Sequence, residues 1–224
     1  MKVFLLALAI LSSVAVMAAS FLHRGPFAPT EALGFVTGAW CVWLAVRENL
    51  WNWPINIVSS FFYAVLFWHT GLYADMGQQV VNAVLCAFGW YWWLHGNQAK
   101  RHLAVTQTSH GTGTALFFLV IAGTVGLTAY LRTIHDTAPF LDALTTILSL
   151  VAMYQTSKKL IENWYVWLLA DTIYVGLYIY KHLYLTAGLN SLYVVLCFIG
   201  LQEWRRSQKA AETSQPLPIG LAHD

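Results

Sequence analysis

Long apolar runs broken by short polar stretches divide the chain into eight segments, at about 3–22, 31–46, 53–70, 77–94, 113–131, 138–155, 164–180 and 186–203. Each is close to the ~20 residues that an α-helix needs to cross hydrocarbon. Lipid cannot satisfy the open edge of a strand, so the pattern predicts helices throughout. The first run starts at Met1-Lys2 and ends in small residues at Ala15–Ser20. It reads either as a signal peptide or as a retained helix, and its spanning length favours the helix. The stretch from Ser207 to Asp224, with Pro216 and Pro218, reads as a disordered end.

Shifting the chain against itself by 111 residues aligns 52–93 with 163–204 without a gap, with twelve identical positions. Asn52-Trp53 meets Asn163-Trp164, Tyr63 meets Tyr174, Gly77 meets Gly188, Cys86 meets Cys197, Gly89 meets Gly200 and Trp93 meets Trp204. Chance likeness between apolar segments would not preserve Trp, Asn, Cys and Gly in one frame. The expected architecture is an all-α polytopic membrane protein. Its units are an N-terminal helix at 1–22, a three-helix repeat at 31–94, a linking helix at 113–131, a second three-helix repeat at 138–204 and a cytoplasmic tail at 205–224. Three spans plus a linker make four crossings, so both repeats would face the same way, about a pseudo-twofold axis along the membrane normal.

Composition agrees with this reading. Of 224 residues, 58% are hydrophobic and 10% charged, whereas a soluble domain carries roughly 25% charged residues. The lipid bilayer is therefore the expected solvent. With eight spans, Lys2, Arg47, Lys100, Arg101, Lys158, Lys159, Arg205, Arg206 and Lys209 fall on one side, against Arg24, Arg132 and Lys181 on the other. That bias predicts cytoplasmic termini. Basic residues sit in short loops and form no patch, which argues against a nucleic-acid partner. Cys41, Cys86 and Cys197 lie inside apolar runs without metal-ligand spacing, and the histidines are scattered. No metal, cofactor or phosphate-binding loop is expected.

Trp164, Trp167, Asp171, Tyr174 and Tyr178 recur at steps of three and four and form one helix face. The matching stripe in the first repeat is Trp53, Asn56, Ser60, Tyr63 and Phe67. The third helices carry Gln79, Asn82 and Cys86, and Asn190, Tyr193 and Cys197, on corresponding faces. A carboxylate near mid-membrane costs at least ~2.5 kcal/mol, so Asp171 is expected to face a cavity or a partner. Among aromatic rings it suits an aromatic cation; its alternative role is to pair with a donor on a neighbouring helix. For Gln79, Asn82 and Asn190 the plainer role is interhelical hydrogen bonding. Asn52, Asn163, Asp75 and Thr186 read as helix-start residues, and Trp93 and Trp204 as interface anchors. The expected substrate-binding set is Trp53, Asn56, Gln79, Asn82, Trp164, Trp167, Asp171, Tyr174 and Asn190.

Glu48-Asn49-Leu50-Trp51-Asn52-Trp53-Pro54-Ile55, Leu72–Met76, Gly89-Trp90-Tyr91-Trp92-Trp93 and Glu162–Asp171 together resemble the PnuC family of nicotinamide riboside transporters. The likeness covers about residues 30–205. It implies a SWEET-like arrangement of three, one and three helices, sometimes with an extra N-terminal helix. It also implies facilitated diffusion of an unphosphorylated vitamin across the bacterial cytoplasmic membrane, with later trapping by a cytoplasmic kinase. Nicotinamide riboside and thiamine both carry a cationic aromatic ring; riboflavin does not. The expectation is a uniporter for nicotinamide riboside, with thiamine or another vitamin as alternative. An intramembrane enzyme using Asp171 as acid or base has no second catalytic residue in view, and a ligand sensor without transport would be told apart by uptake. The sequence leaves the oligomeric state open, a homo-oligomer included.

Overall fold

In the computed structural model the described residues are 29–70, 73–96, 103–134, 138–180 and 184–213. Among them are seven helices: α1 (Pro29–Val46), α2 (Asn52–Thr70), α3 (Tyr73–His95), α4 (His110–Thr133), α5 (Pro139–Ser157), α6 (Asn163–Tyr180) and α7 (Tyr184–Thr213). The expected N-terminal helix at 1–22, the side chains of Phe67, Asp75 and Thr186, and the chain beyond Thr213 lie outside the described residues.

Local chemistry sets the boundaries. The side chain of Ser109 caps α4 by accepting the Thr112 N–H at 3.3 Å. Pro139 opens α5, where its missing N–H costs nothing. Pro54 sits in the first turn of α2 for the same reason. Asn52 and Asn163 begin α2 and α6, in line with the helix-start reading. The last helix corrects the expected disordered end. Ser207–Thr213 are helical, because Gln208, Lys209, Ala210, Ala211 and Glu212 are good helix formers and the first breaker is Pro216.

The ends of α1 and α5 are built alike. The Asn49 N–H donates to the Leu44 carbonyl at 2.9 Å and the Glu48 N–H to Ala45 at 3.0 Å. The Leu160 N–H donates to Gln155 at 2.9 Å and the Lys159 N–H to Thr156 at 3.0 Å. Both are Schellman caps. The left-handed residue is not the usual glycine but Glu48 in one and Lys159 in the other, each with φ 52°. Such a conformation costs an ordinary side chain about 1 kcal/mol. These residues are 111 apart, and the Lys159 ammonium donates to the Glu48 carboxylate at 2.7 Å.

The helices pack as α1 on α2, α2 on α3, α5 on α6 and α6 on α7, with α1 also on α7, α3 on α5, and α4 on α5. Four tryptophans run through the core. Trp53 meets Trp93 and Trp164 meets Trp204, each pair at 5.3 Å and 86°, and Trp93 approaches Trp204 at 6.2 Å. The Trp93 indole N–H donates to the Thr156 carbonyl at 3.2 Å and the Trp204 N–H to the Ala45 carbonyl at 3.1 Å. Trp93 and Trp204 are thus buried rather than interface anchors. Their polar tips find carbonyls at the ends of α5 and α1, so they need neither water nor headgroups. Outside, Phe61, Phe62, Phe117, Phe118, Val125 and Phe198 are exposed, as a lipid-facing surface requires. The 24-residue α4 is long and apolar enough to cross a membrane.

The segment before α4 docks on the α5–α6 connection. The Thr106 N–H donates to the Lys159 carbonyl at 3.0 Å, and the Thr106 carbonyl accepts the Ile161 N–H at 2.9 Å. The Glu162 carboxylate accepts the Thr108 N–H at 2.9 Å and its hydroxyl at 2.6 Å.

Candidate functional site

Of the stripes predicted on α2 and α6, Asn56 and Ser60 meet α3 and Asp171 meets α7, and there the two halves part company. In the first half the Asn82 amide of α3 donates to Asn56 Oδ1 at 2.9 Å and to Ser60 Oγ at 2.8 Å. One amide supplies both donors, and the cluster satisfies itself. In the second half the corresponding residues are Tyr193, Trp167 and Asp171. Asp171 is 4% exposed. Among the described residues its carboxylate receives one hydrogen bond, from the Cys197 thiol at 3.6 Å. A thiol is a weak donor and a carboxylate has about four acceptor positions, so most of its capacity is unused among the described residues.

Tyr193 points from α7 toward α1, its hydroxyl against Gly38 where any Cβ would collide. This contact joins α7 to α1. Nearby, the Thr37 and Ser59 hydroxyls are 3.4 Å apart. Trp167 is half-buried on α6, and its indole N–H donates to the Thr156 hydroxyl at 3.1 Å. Tyr174 is half-buried and stacks on Tyr178 at 5.5 Å.

The expected site residues therefore separate. Asn56 and Asn82 are brought together, Asp171 joins Cys197, and Trp167 joins Thr156. Gln79 is half-buried on α3 and Asn190 buried on α7. Trp53 and Trp164, 1% and 2% exposed, are sealed in the tryptophan core against Gly89 and Gly200. Sequence reasoning left out Thr156 and the Glu48–Lys159 pair, and it placed Tyr193 on the polar face of the last helix without including it in the expected binding set. The same shift of 111 that aligned the halves pairs Glu48 with Lys159, so opposite charges at matching positions were the available signal. Among the described residues no group of three or more His, Cys, Asp or Glu side chains could hold a metal ion.

Long helices with apolar exteriors around a polar and aromatic interior define a polytopic helical membrane protein. The chain belongs to the family described as "Nicotinamide mononucleotide transporter", which matches residues 28–206. It is 28% identical over 197 residues to the nicotinamide riboside transporter PnuC of Escherichia coli K12, covering 76% of this chain and 81% of that protein. The riboflavin/roseoflavin transporter RibM of Streptomyces davaonensis is 25% identical over 181 residues, with 78% and 84% covered. The fold is that of a crystal structure of the vitamin B3 transporter PnuC, with a TM-score of 0.71, 18% identity, and 91% of this chain and 92% of that one covered.

Proposed function

We propose that this protein is a uniporter for nicotinamide riboside in the bacterial cytoplasmic membrane, working by alternating access between two parallel three-helix repeats. The observation that carries the substrate is Asp171, a buried carboxylate whose one hydrogen-bond partner among the described residues is a thiol, on the same helix face as Trp167 and Tyr174. A cationic nicotinamide ring would complete its coordination and meet the aromatic faces. Asn56, Gln79, Asn82 and Asn190 would supply polar contacts to the rest of the ligand, and Trp53 and Trp164 would hold the framework behind it. The repeat reading is supported by reciprocal contacts at a separation of 111: Trp93 to Thr156, Trp204 to Ala45, and the two φ 52° residues joined as an ion pair. The loop charges support cytoplasmic termini. No energy-coupling motif is evident, so net uptake would follow from trapping by a cytoplasmic kinase.

Riboflavin is the second reading, because the RibM match is nearly as extensive as that to PnuC. A neutral flavin would make little use of Asp171. Binding of radiolabelled nicotinamide riboside to the purified protein, with thiamine, riboflavin and nicotinamide as competitors, separates these cases. Nicotinamide riboside should bind and the other three should compete poorly. Asp171→Asn should weaken it tenfold or more, about 1.4 kcal/mol. Unaltered affinity in that variant would remove Asp171 from the site, and tight riboflavin binding would replace the substrate.

A further inference from the structure

Thr156 makes two kinds of contact at once. Its carbonyl accepts the Trp93 indole N–H from α3 at 3.2 Å. Its hydroxyl accepts the Trp167 indole N–H at 3.1 Å. That hydroxyl in turn faces the Ala152 carbonyl at 2.8 Å and Asn163 Oδ1 at 3.3 Å, so its proton has acceptors and its lone pair is left for Trp167. Thr156 is 6% exposed, which leaves water little access to replace any of these bonds. Trp93, the partner on the other repeat, also lies under the Lys159 ammonium at 4.5 Å.

The first repeat keeps only half of this arrangement. Ala45 stands at the position matching Thr156, and its carbonyl accepts the Trp204 N–H at 3.1 Å. It has no hydroxyl, and Asn56, which matches Trp167, turns to Asn82 instead. The framework contact between repeats is thus present twice, while the branch to a site-facing ring is present once. That branch lies on the same side as Asp171.

We infer that Thr156 is a positioning residue. Its hydroxyl fixes the plane of the Trp167 ring for the ligand, and its carbonyl ties that ring to the Trp93 contact between repeats. The inference rests on the reading that Trp167 and Asp171 face nicotinamide riboside. An indole whose N–H is held in a buried bond presents one face, whereas a released indole samples several rotamers and loses affinity by that freedom.

The test compares Thr156→Val, which keeps the shape without the hydroxyl, with Thr156→Ser, which keeps the hydroxyl, in the full-length protein in detergent. Nicotinamide riboside should bind Thr156→Val about tenfold more weakly, while Thr156→Ser should stay within about twofold. In the Trp167→Phe background Thr156→Val should add nothing further, since the N–H it serves is gone; a double-mutant cycle measures this. Should the valine variant fail to fold, Thr156→Ala, the residue the first repeat carries, takes its place. Equal affinity for the valine and serine variants, or additivity with Trp167→Phe, overturns the inference. Asp171→Asn separates the two levels. If it weakens binding while Thr156→Val does not, the positioning role alone is wrong. If neither Asp171→Asn nor Trp167→Phe alters binding, the site reading fails and the inference goes with it.

Discussion

Replacing Glu48 by alanine should destabilise the protein by about 3 kcal/mol, seen as a clear drop in melting temperature in detergent. The side chain of Lys159 is 8% exposed and that of Glu48 is 23% exposed. Removing the carboxylate strands a buried ammonium, which keeps the face of Trp93, 4.5 Å away, as weak electrostatic compensation. Replacing both members by methionine should recover most of the loss, because the expense lies in the orphaned charge rather than in the missing attraction. The matching positions make a sharper test possible. Glu48 and Lys159 share φ 52° and form opposite ends of one ion pair. Under the two-repeat reading, exchanging them leaves the geometry unchanged and sets the ammonium introduced at position 48 over Trp204, as Lys159 now lies over Trp93. Either single exchange places like charges at the present spacing of the pair, 2.7 Å, and should be severely destabilising. The double exchange, Glu48→Lys with Lys159→Glu, should restore the melting temperature to near that of the unaltered protein. A double exchange as damaged as the single ones would show that the two ends are not equivalent.

The identities at a shift of 111 were legible in the sequence, but the contacts made at those positions were only partly so. The helices follow the apolar runs within a few residues, because a segment that crosses lipid must be both apolar and helical. The end of α7 was not legible in that way. Hydropathy stops at the edge of the lipid, whereas Ser207–Thr213 continue the helix on propensity alone. Identity at a shift of 111 located the paired tryptophans without revealing their direction. A Trp at the end of a span has the same sequence signature whether it anchors in headgroups or turns inward to a carbonyl. Trp93 and Trp204 turn inward to carbonyls, and Trp53 and Trp164 become core by packing their rings on Gly89 and Gly200. Asp171 stood out because charge in a span is costly. Thr156 did not, since a threonine is ordinary in a membrane helix until its partners are known, and Tyr193 was legible only as one residue of a polar face.

Alanine at Gly200 should cost about 1–3 kcal/mol, and alanine at Gly89 should cost a similar amount. Both glycines are buried under the flat face of a tryptophan that starts the neighbouring helix, Trp164 over Gly200 and Trp53 over Gly89. A Cβ at either would fall inside the van der Waals envelope of three ring carbons, so ring or helix must move. The ring has little room to yield, being held edge-on at 5.3 Å by Trp204 in one case and by Trp93 in the other. Those rings are in turn fixed by their N–H bonds to Ala45 and Thr156. Displacement at Gly200 therefore passes through Trp164 and Trp204 to the end of α1, and at Gly89 through Trp53 and Trp93 to the end of α5. Gly176 of α6 is the control, since nothing lies within 4 Å of a Cβ built there. Alanine at that position should be neutral or stabilising by up to about 1 kcal/mol through helix propensity. Thermal unfolding of the three variants in one detergent decides the matter. Equal losses at Gly89 and Gly200 with none at Gly176 are expected, and a Gly200→Ala protein as stable as Gly176→Ala would rule out the close approach of Trp164 to α7.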